Sequence, residues 1–354
     1  LTPEEAVLRE PAHTPALIGH DEAVAAIRGA VDAGRLAHGW LLGGPRGIGK
    51  ATLAYHMARC LLAPPTQRGP GLHVDPDSPT FHRVAAGGHG DLRVLTLAYD
   101  ERRKRMRTEI VVDQVRELQH FFAMTSAEGG WRVAIVDTAD DLNQNAANAL
   151  LKILEEPPER AALILVSHAP DRLLPTVRSR CRRLNLRPLD DATVARLVAE
   201  RAHDVAPDEA RALARLADGS PGLALELAGA GGVALYAELI GLMSKLPKVD
   251  YAQAHALADK LARPAAAADY RLWTALVPLW LTRLVRAGVE GRAPEEAAAG
   301  EAALARRLAA GNLDRWVDVW EKINQLVSRA DAVNLDRKQA VLAIFLALEQ
   351  AASA

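Results

Sequence analysis

Gly44-Pro-Arg-Gly-Ile-Gly-Lys50-Ala51-Thr52 is the stretch that decides the fold. It carries the two glycines and the lysine of G-x-x-x-x-G-K-[ST] at the required spacing. The apolar run before it, His38–Leu42, reads as a short buried strand, and Lys50–Leu62 reads as a helix. At such a turn, glycines let backbone N–H groups point inward at an anion, and the helix N-terminus already favours negative charge. Gly44, Gly47, Gly49 and Lys50 are therefore expected to cradle phosphates. An ordinary glycine-rich turn is the bland alternative, and the match at all three fixed positions argues against it. The residue after the lysine normally offers Mg²⁺ a hydroxyl, and here it is Ala51. Thr52 is the nearest hydroxyl, but it sits about 100° further round the helix.

Outward from the loop, strands are expected at Trp40–Leu42, Leu92–Leu97, Trp131–Val136 and Leu163–Ser167. Helices fall between them at Glu22–Gly34, Lys50–Leu62, Asp113–Thr125 and Asn143–Glu156. This alternation predicts an α/β fold, a parallel sheet with flanking helices. Pro64–Pro79 reads as a surface excursion. The basic run Glu101–Arg107 reads as a hairpin tip, either a solvated turn or a phosphate-contacting loop.

After Arg187-Pro188 the strands stop. Short helices are expected at Ala192–His203, Pro207–Ala217 and Gly222–Gly229, and Gly229-Ala-Gly-Gly232 marks a second boundary. Everything beyond reads as helical. Leu313, Trp316, Val317, Trp320, Ile323 and Val327 share a face, as do Trp273, Leu276, Val277 and Trp280. These tryptophans read as core or subunit-contact anchors rather than a base-stacking platform. Three domains result: 1–187, 188–232 and 233–354.

Composition narrows the function classes. A formal net charge of -1 gives no global pull toward DNA or membrane. The two cysteines, Cys60 and Cys181, have no metal-ligand spacing. His73, Asp75, Asp77 and His82 match no familiar metal site. With no apolar run of membrane-spanning length and no signal-like start, a cytoplasmic protein without membrane contact is expected.

Val133-Ala-Ile-Val-Asp137 is an apolar strand ending in a carboxylate, the form of a Mg²⁺-supporting acidic strand. The follower is Thr138, which cannot act as a carboxylate base. Asp140 and Asp141 read as caps for the next helix. That helix carries Asn145-Ala-Ala-Asn148-Ala-Leu-Leu-Lys152-Ile-Leu-Glu155-Glu156-Pro157-Pro158, and Ser179-Arg180-Cys181 follows.

With these two elements the chain resembles the bacterial clamp-loader ATPases. The resemblance implies an AAA+ RecA-like nucleotide domain, a small helical lid and an all-helical oligomerisation collar. Leu17-Ile-Gly-His20 matches the element beside the adenine, which places Ile18 at the nucleotide. Ser167-His168 falls where a polar sensor of the γ-phosphate belongs. Arg180, in the Ser-Arg-Cys element, would be an arginine finger for the ATP of a neighbouring subunit. A guanidinium suits that role because it stays charged and can pair with two phosphate oxygens. A structural ion-pair role is the alternative.

Gly219-Ser-Pro-Gly222 sits where active members carry a second sensor arginine, and Gly222 has none. Ala51, Thr138 and Gly222 thus each remove a different catalytic contact. The resemblance implies a structural and regulatory subunit with little or no ATPase of its own. ATP or ADP with Mg²⁺ could remain bound through Gly44, Gly49, Lys50, Thr52 and Asp137. Motor (gamma/tau) and delta subunits would be its partners, with a sliding clamp and primer–template DNA reached through the complex. An active ATPase, with Thr52 completing the Mg²⁺ shell and Asp140 or Asp141 as base, is the second reading, and a small-molecule kinase the third. No zinc is expected, because Cys60 stands alone where relatives carry four cysteines. Lys152, with Asn145 and Asn148, could contact DNA phosphates; alternatively it solvates its helix or pairs with Glu156.

Overall fold

The structure is a computed structural model that describes residues 11–100, 104–333 and 336–353. The chain divides into two compact units, residues 1–189 and 190–354.

The first unit contains, in order, α1 (Asp21–Asp32), β1 (Gly39–Gly43), α2 (Lys50–Leu62), α3 (Pro79–Ala85), β2 (Leu92–Leu95), β3 (Tyr99–Asp100) and β4 (Arg105–Met106). There follow α4 (Val112–Ala123), β5 (Arg132–Asp137), α5 (Gln144–Glu155), β6 (Ala161–Ser167), α6 (Pro175–Arg178) and β7 (Arg182–Asn185). Five strands form one sheet in the order β2-β5-β6-β1-β7, and every pairing in it is parallel.

Alternation along the strands sorts side chains onto the two faces. Trp40, Leu42, Val133, Ile135, Ile164 and Val166 pack with Ile27 of α1 and Leu53 and Met57 of α2. Leu41, Ala134, Val136, Leu163 and Leu165 pack on the other side with Val115 and Leu118 of α4 and Leu150 and Ile153 of α5. Burial on both faces explains why β1, β5 and β6 are almost wholly apolar.

The structure adds what the sequence pattern hid. Arg182-Arg183-Leu184-Asn185 is the edge strand β7, mostly exposed and too polar to read as a strand. β2 ends at Leu95 rather than Leu97. The excursion after Pro64 closes with α3, whose N-cap Ser78 accepts from the backbone N–H of Phe81 at 3.2 Å. β3 and β4 pair antiparallel around the basic run, with Asp100 opposite Arg105; residues 101–103 of that run lie outside the described residues.

The second unit is helical throughout its described residues: α7 (Asp191–Arg201), α8 (Pro207–Ala217), α9 (Pro221–Gly229), α10 (Gly232–Met243), α11 (Tyr251–Ala262), α12 (Ala267–Glu290), α13 (Glu301–Ala309), α14 (Asp314–Val333) and α15 (Arg337–Ser353). The glycine-rich break at 230–231 bends α9 against α10 by 86°. Trp273, Trp280 and Trp316 are core residues, the last two meeting edge to face at 6.3 Å between ring centroids. Trp320 and Val317 instead stay exposed, because the inward face of α14 runs through Trp316, Val319 and Ile323.

One buried ionic cluster ties this unit together. Glu301 accepts from Tyr236 Oη at 2.7 Å, from Arg283 Nε at 2.6 Å and from the N–H of Ala297 at 2.8 Å. Arg283 also donates to the carbonyls of Arg215 and Glu295. Asp218, which ends α8 in a left-handed conformation, takes a two-pronged ion pair from Arg286 at 2.6 and 2.7 Å. Among the described residues no single helix is long and apolar enough to cross a membrane.

Candidate functional site

A parallel sheet delivers all its strand ends to one rim, and the phosphate loop lies there. β1 ends at Gly43 opposite Ser167 of β6, and Asp137 of β5 lies opposite Val166. The turn into α2 needs its glycines: Gly44, Gly47 and Gly49 have φ of 143, 75 and 100°. At Gly44 a Cβ would also stand 2.6 Å from the carbonyl oxygen of Leu186.

Lys50 is 3% exposed. Its Nζ donates to the carbonyls of Gly44 and Pro45, at 2.6 and 2.5 Å. Burial pulls its pKa down to about 8, with Asp140 and Asp137 partly offsetting the shift. Burial also raises the Asp137 pKa, which Lys50 opposes and Asp141 reinforces. His168 is pushed toward its neutral form by burial and then by Lys50. Thr52, half-buried one residue past Ala51, has no hydrogen bond from its hydroxyl among the described residues.

The loop has a brace that the sequence did not announce. His20 adopts a left-handed conformation before α1 and donates from Nε2 to the carbonyl of Ile48 at 2.7 Å. A carbonyl can only accept, so the proton is on Nε2. The half-buried Ile18 lies two residues upstream.

Asp140 and Asp141 do not cap α5, contrary to the expectation from sequence. Asn143 does, accepting from the N–H of Ala146 at 2.9 Å. Asp140 turns to the end of β6 instead: Oδ1 accepts from Ser167 Oγ and the N–H of Ala169, and Oδ2 from the N–H of His168. Asp141 accepts from Thr138 Oγ1 at 2.9 Å. Both carboxylates are thus engaged in holding local structure. The Ser167 hydroxyl, fully buried, is committed to Asp140.

Arg180 is not brought to this site. A Cβ on Gly39, at the start of β1, would lie 3.2 Å from the Arg180 carbonyl oxygen, whereas the phosphate loop begins at the other end of that strand, four residue steps or about 13 Å away. The exposed guanidinium donates to Thr176 O at 3.0 Å and pairs with Glu155 at 2.9 Å. Lys152 is exposed on α5 and has no ion-pair partner among the described residues, so of the alternatives to a DNA contact the pairing with Glu156 does not form. Among the described residues no cluster of three or more His, Cys, Asp or Glu side chains could hold a metal.

The strand order, the loop after β1 and the acidic end of β5 define a parallel α/β domain with a phosphate-binding loop at its rim. Residues 19–190 match the family described as DNA polymerase III, delta subunit. DNA polymerase III subunit delta' of Pseudomonas aeruginosa is 41% identical over 213 residues, 60% of this chain and 62% of that protein. The delta' subunit of Escherichia coli is 35% identical over 55% of each chain. DNA polymerase III subunit gamma/tau of Mycobacterium tuberculosis is 33% identical over 53% of this chain and 31% of that protein. The chain thus spans less than two thirds of the length of each of these relatives. Over residues 19–190 the chain is thus similar to DNA polymerase III subunits of the delta and delta' kind.

Proposed function

We propose that the chain is the delta-prime subunit of a clamp loader in a replicative DNA polymerase III holoenzyme. In this reading it is a structural and regulatory member of a heteropentamer with motor (gamma/tau) and delta subunits. The complex loads a sliding clamp at primer–template junctions in the cytoplasm. Residues 188–232 are the lid and 233–354 the collar through which the ring assembles.

One observation carries the reading: Arg180 is exposed at the rim of the sheet opposite the chain's own phosphate loop. From there it cannot reach a nucleotide held by Lys50, but it can serve one held by a neighbour. The chain's own loop keeps a phosphate cradle of Gly44, Gly47, Gly49 and Lys50, beside Ile18, Thr52, Asp137 and Ser167. ATP or ADP can sit there, with any Mg²⁺ lacking the usual hydroxyl at Ala51. Turnover is not supported, since Thr138 is no base and Asp140 and Asp141 are both occupied by hydrogen bonds. That occupancy also weighs against an active ATPase. Lys152 on the outer face of α5 is free to meet a DNA phosphate.

The test has two parts. The isolated chain is titrated with ATP and ADP and assayed for hydrolysis, where binding without motor-like turnover is expected. Arg180→Ala is then placed in the assembled complex. Turnover at the neighbouring ATP site should fall by roughly 10³ or more. Unchanged turnover would sink the proposal.

A further inference from the structure

The arginine assigned to the neighbour's nucleotide does not hang free. Its Nη2 lies 2.9 Å from Glu155 Oε1, and its Nη1 donates to Thr176 O at 3.0 Å. Two acceptors on different elements therefore fix the plane of the guanidinium. Nη1 also reaches Ser179 Oγ at 3.5 Å, and among the described residues Nε and the second N–H of Nη2 have no partner.

Glu155 is well mounted for this purpose. It is the last residue of α5, just before Pro157-Pro158, which stop the helix. Its neighbour Leu154 is buried, and the missing Cβ of Gly39 is what lets that side chain, the Arg180 carbonyl and Cys181 Sγ crowd together. A Cβ on Gly39 would stand 2.7 Å from Leu154 Cδ2 and 3.2 Å from each of the other two atoms. The end of α5 and the Ser179–Cys181 segment are thus packed as one piece.

The pair contributes little to stability. Its side chains are 38% and 49% exposed, and ion pairs in such positions are screened by water. Its effect is on geometry, because it limits the rotamers of a long side chain whose use requires one orientation. Resting on the finger-donor reading above, we infer that Glu155 is a positioning residue for Arg180. It holds the guanidinium so that the unclaimed N–H groups face an anionic phosphate on an adjoining subunit. A misplaced donor costs transition-state contact far more than substrate binding.

The experiment uses the full assembled complex, with its other ATP sites inactivated so that only the site adjoining Arg180 turns over. Glu155→Ala should lower kcat about tenfold with KM for ATP unchanged. Glu155→Gln keeps the length and an acceptor oxygen and should recover part of that loss, which also covers the case in which the alanine variant fails to assemble. In an Arg180→Ala background, Glu155→Ala should have no further effect. Wild-type kcat in both Glu155 variants, or an equal loss with and without Arg180, overturns the inference while leaving the finger-donor reading intact. An Arg180→Ala complex with undiminished turnover overturns both.

Discussion

Ser167 and Asp140 are bound across the sheet rim, the serine hydroxyl donating to the carboxylate at 2.9 Å. The same carboxylate accepts the N–H groups of His168 and Ala169. This aspartate therefore orders the end of β6, the strand end that faces the phosphate loop. Asp140→Ala leaves a buried hydroxyl and two N–H groups to find other partners. A loss of about 1–2 kcal/mol is expected, as three modest bonds in a half-wet site are exchanged for water. Urea denaturation measures it, and a change below a few tenths of a kcal/mol would contradict the bracing role.

Lys50 makes phosphate affinity depend on pH in a defined direction. Burial holds its pKa at about 8. A bound phosphate favours the charged ammonium and raises that value, so binding takes up a proton once the pH exceeds about 8. ADP affinity should be flat between pH 6.5 and 7.5. It should then fall toward tenfold per unit above about pH 8.5, until the pKa of the bound state is reached. Lys50→Met should bind more weakly and lose this slope. Calorimetric titrations across the range decide the matter, and a wild-type profile without a slope would reject it.

His56 links stability to mild acid. It is 3% exposed, and burial, followed by the nearby Arg59, depresses its pKa to about 3. The unfolded chain takes up this proton near pH 6.5, whereas the folded chain refuses it. The contribution is thus fully present above about 6.5 and drains away as the pH falls toward 3. Between pH 7 and pH 5 the loss should be about 2 kcal/mol. His56→Gln should flatten this part of the profile in thermal melts, and an unchanged profile would show that other groups set it.

In the second unit, Glu301 is 1% exposed and serves Tyr236, Arg283 and the backbone of Ala297 together. Removing it strands the Arg283 guanidinium in the interior. Glu301→Ala should cost about 3–5 kcal/mol, the scale for breaking one side of a buried pair. Chemical denaturation followed by tryptophan fluorescence would report on Trp273, Trp280 and Trp316. A loss under 1 kcal/mol would mean that the cluster relaxes around the gap.

Much of this molecule was legible in its sequence, for identifiable reasons. Loop and acidic strand were visible because buried parallel strands must be continuously apolar and a phosphate turn must be glycine-rich. α2 and α8 were placed at their observed ends by Gly49 and Pro207. β7 was invisible because an exposed edge strand has no reason to be apolar. The His20 brace depends on a left-handed turn that no spacing announces. Asp140 was misread because an aspartate ahead of a helix usually caps it, whereas Asn143, directly before Gln144, had the better position. On α14, helical spacing grouped Val317 and Trp320 with Trp316, and only packing showed which of them turns inward.

The pairing of β1 carries a consequence for synthesis. Among the described residues its partners are β6 and β7, so Trp40, Leu41 and Leu42 have no strand to join until residues 161–185 exist. At ribosomal speeds of about 5–20 residues per second, that wait is on the order of 10 s. The nascent chain holds this apolar strand unsatisfied throughout, which makes the segment the natural place for a chaperone to engage. The phosphate loop, near the front of the chain, is therefore among the last features of its unit to take shape.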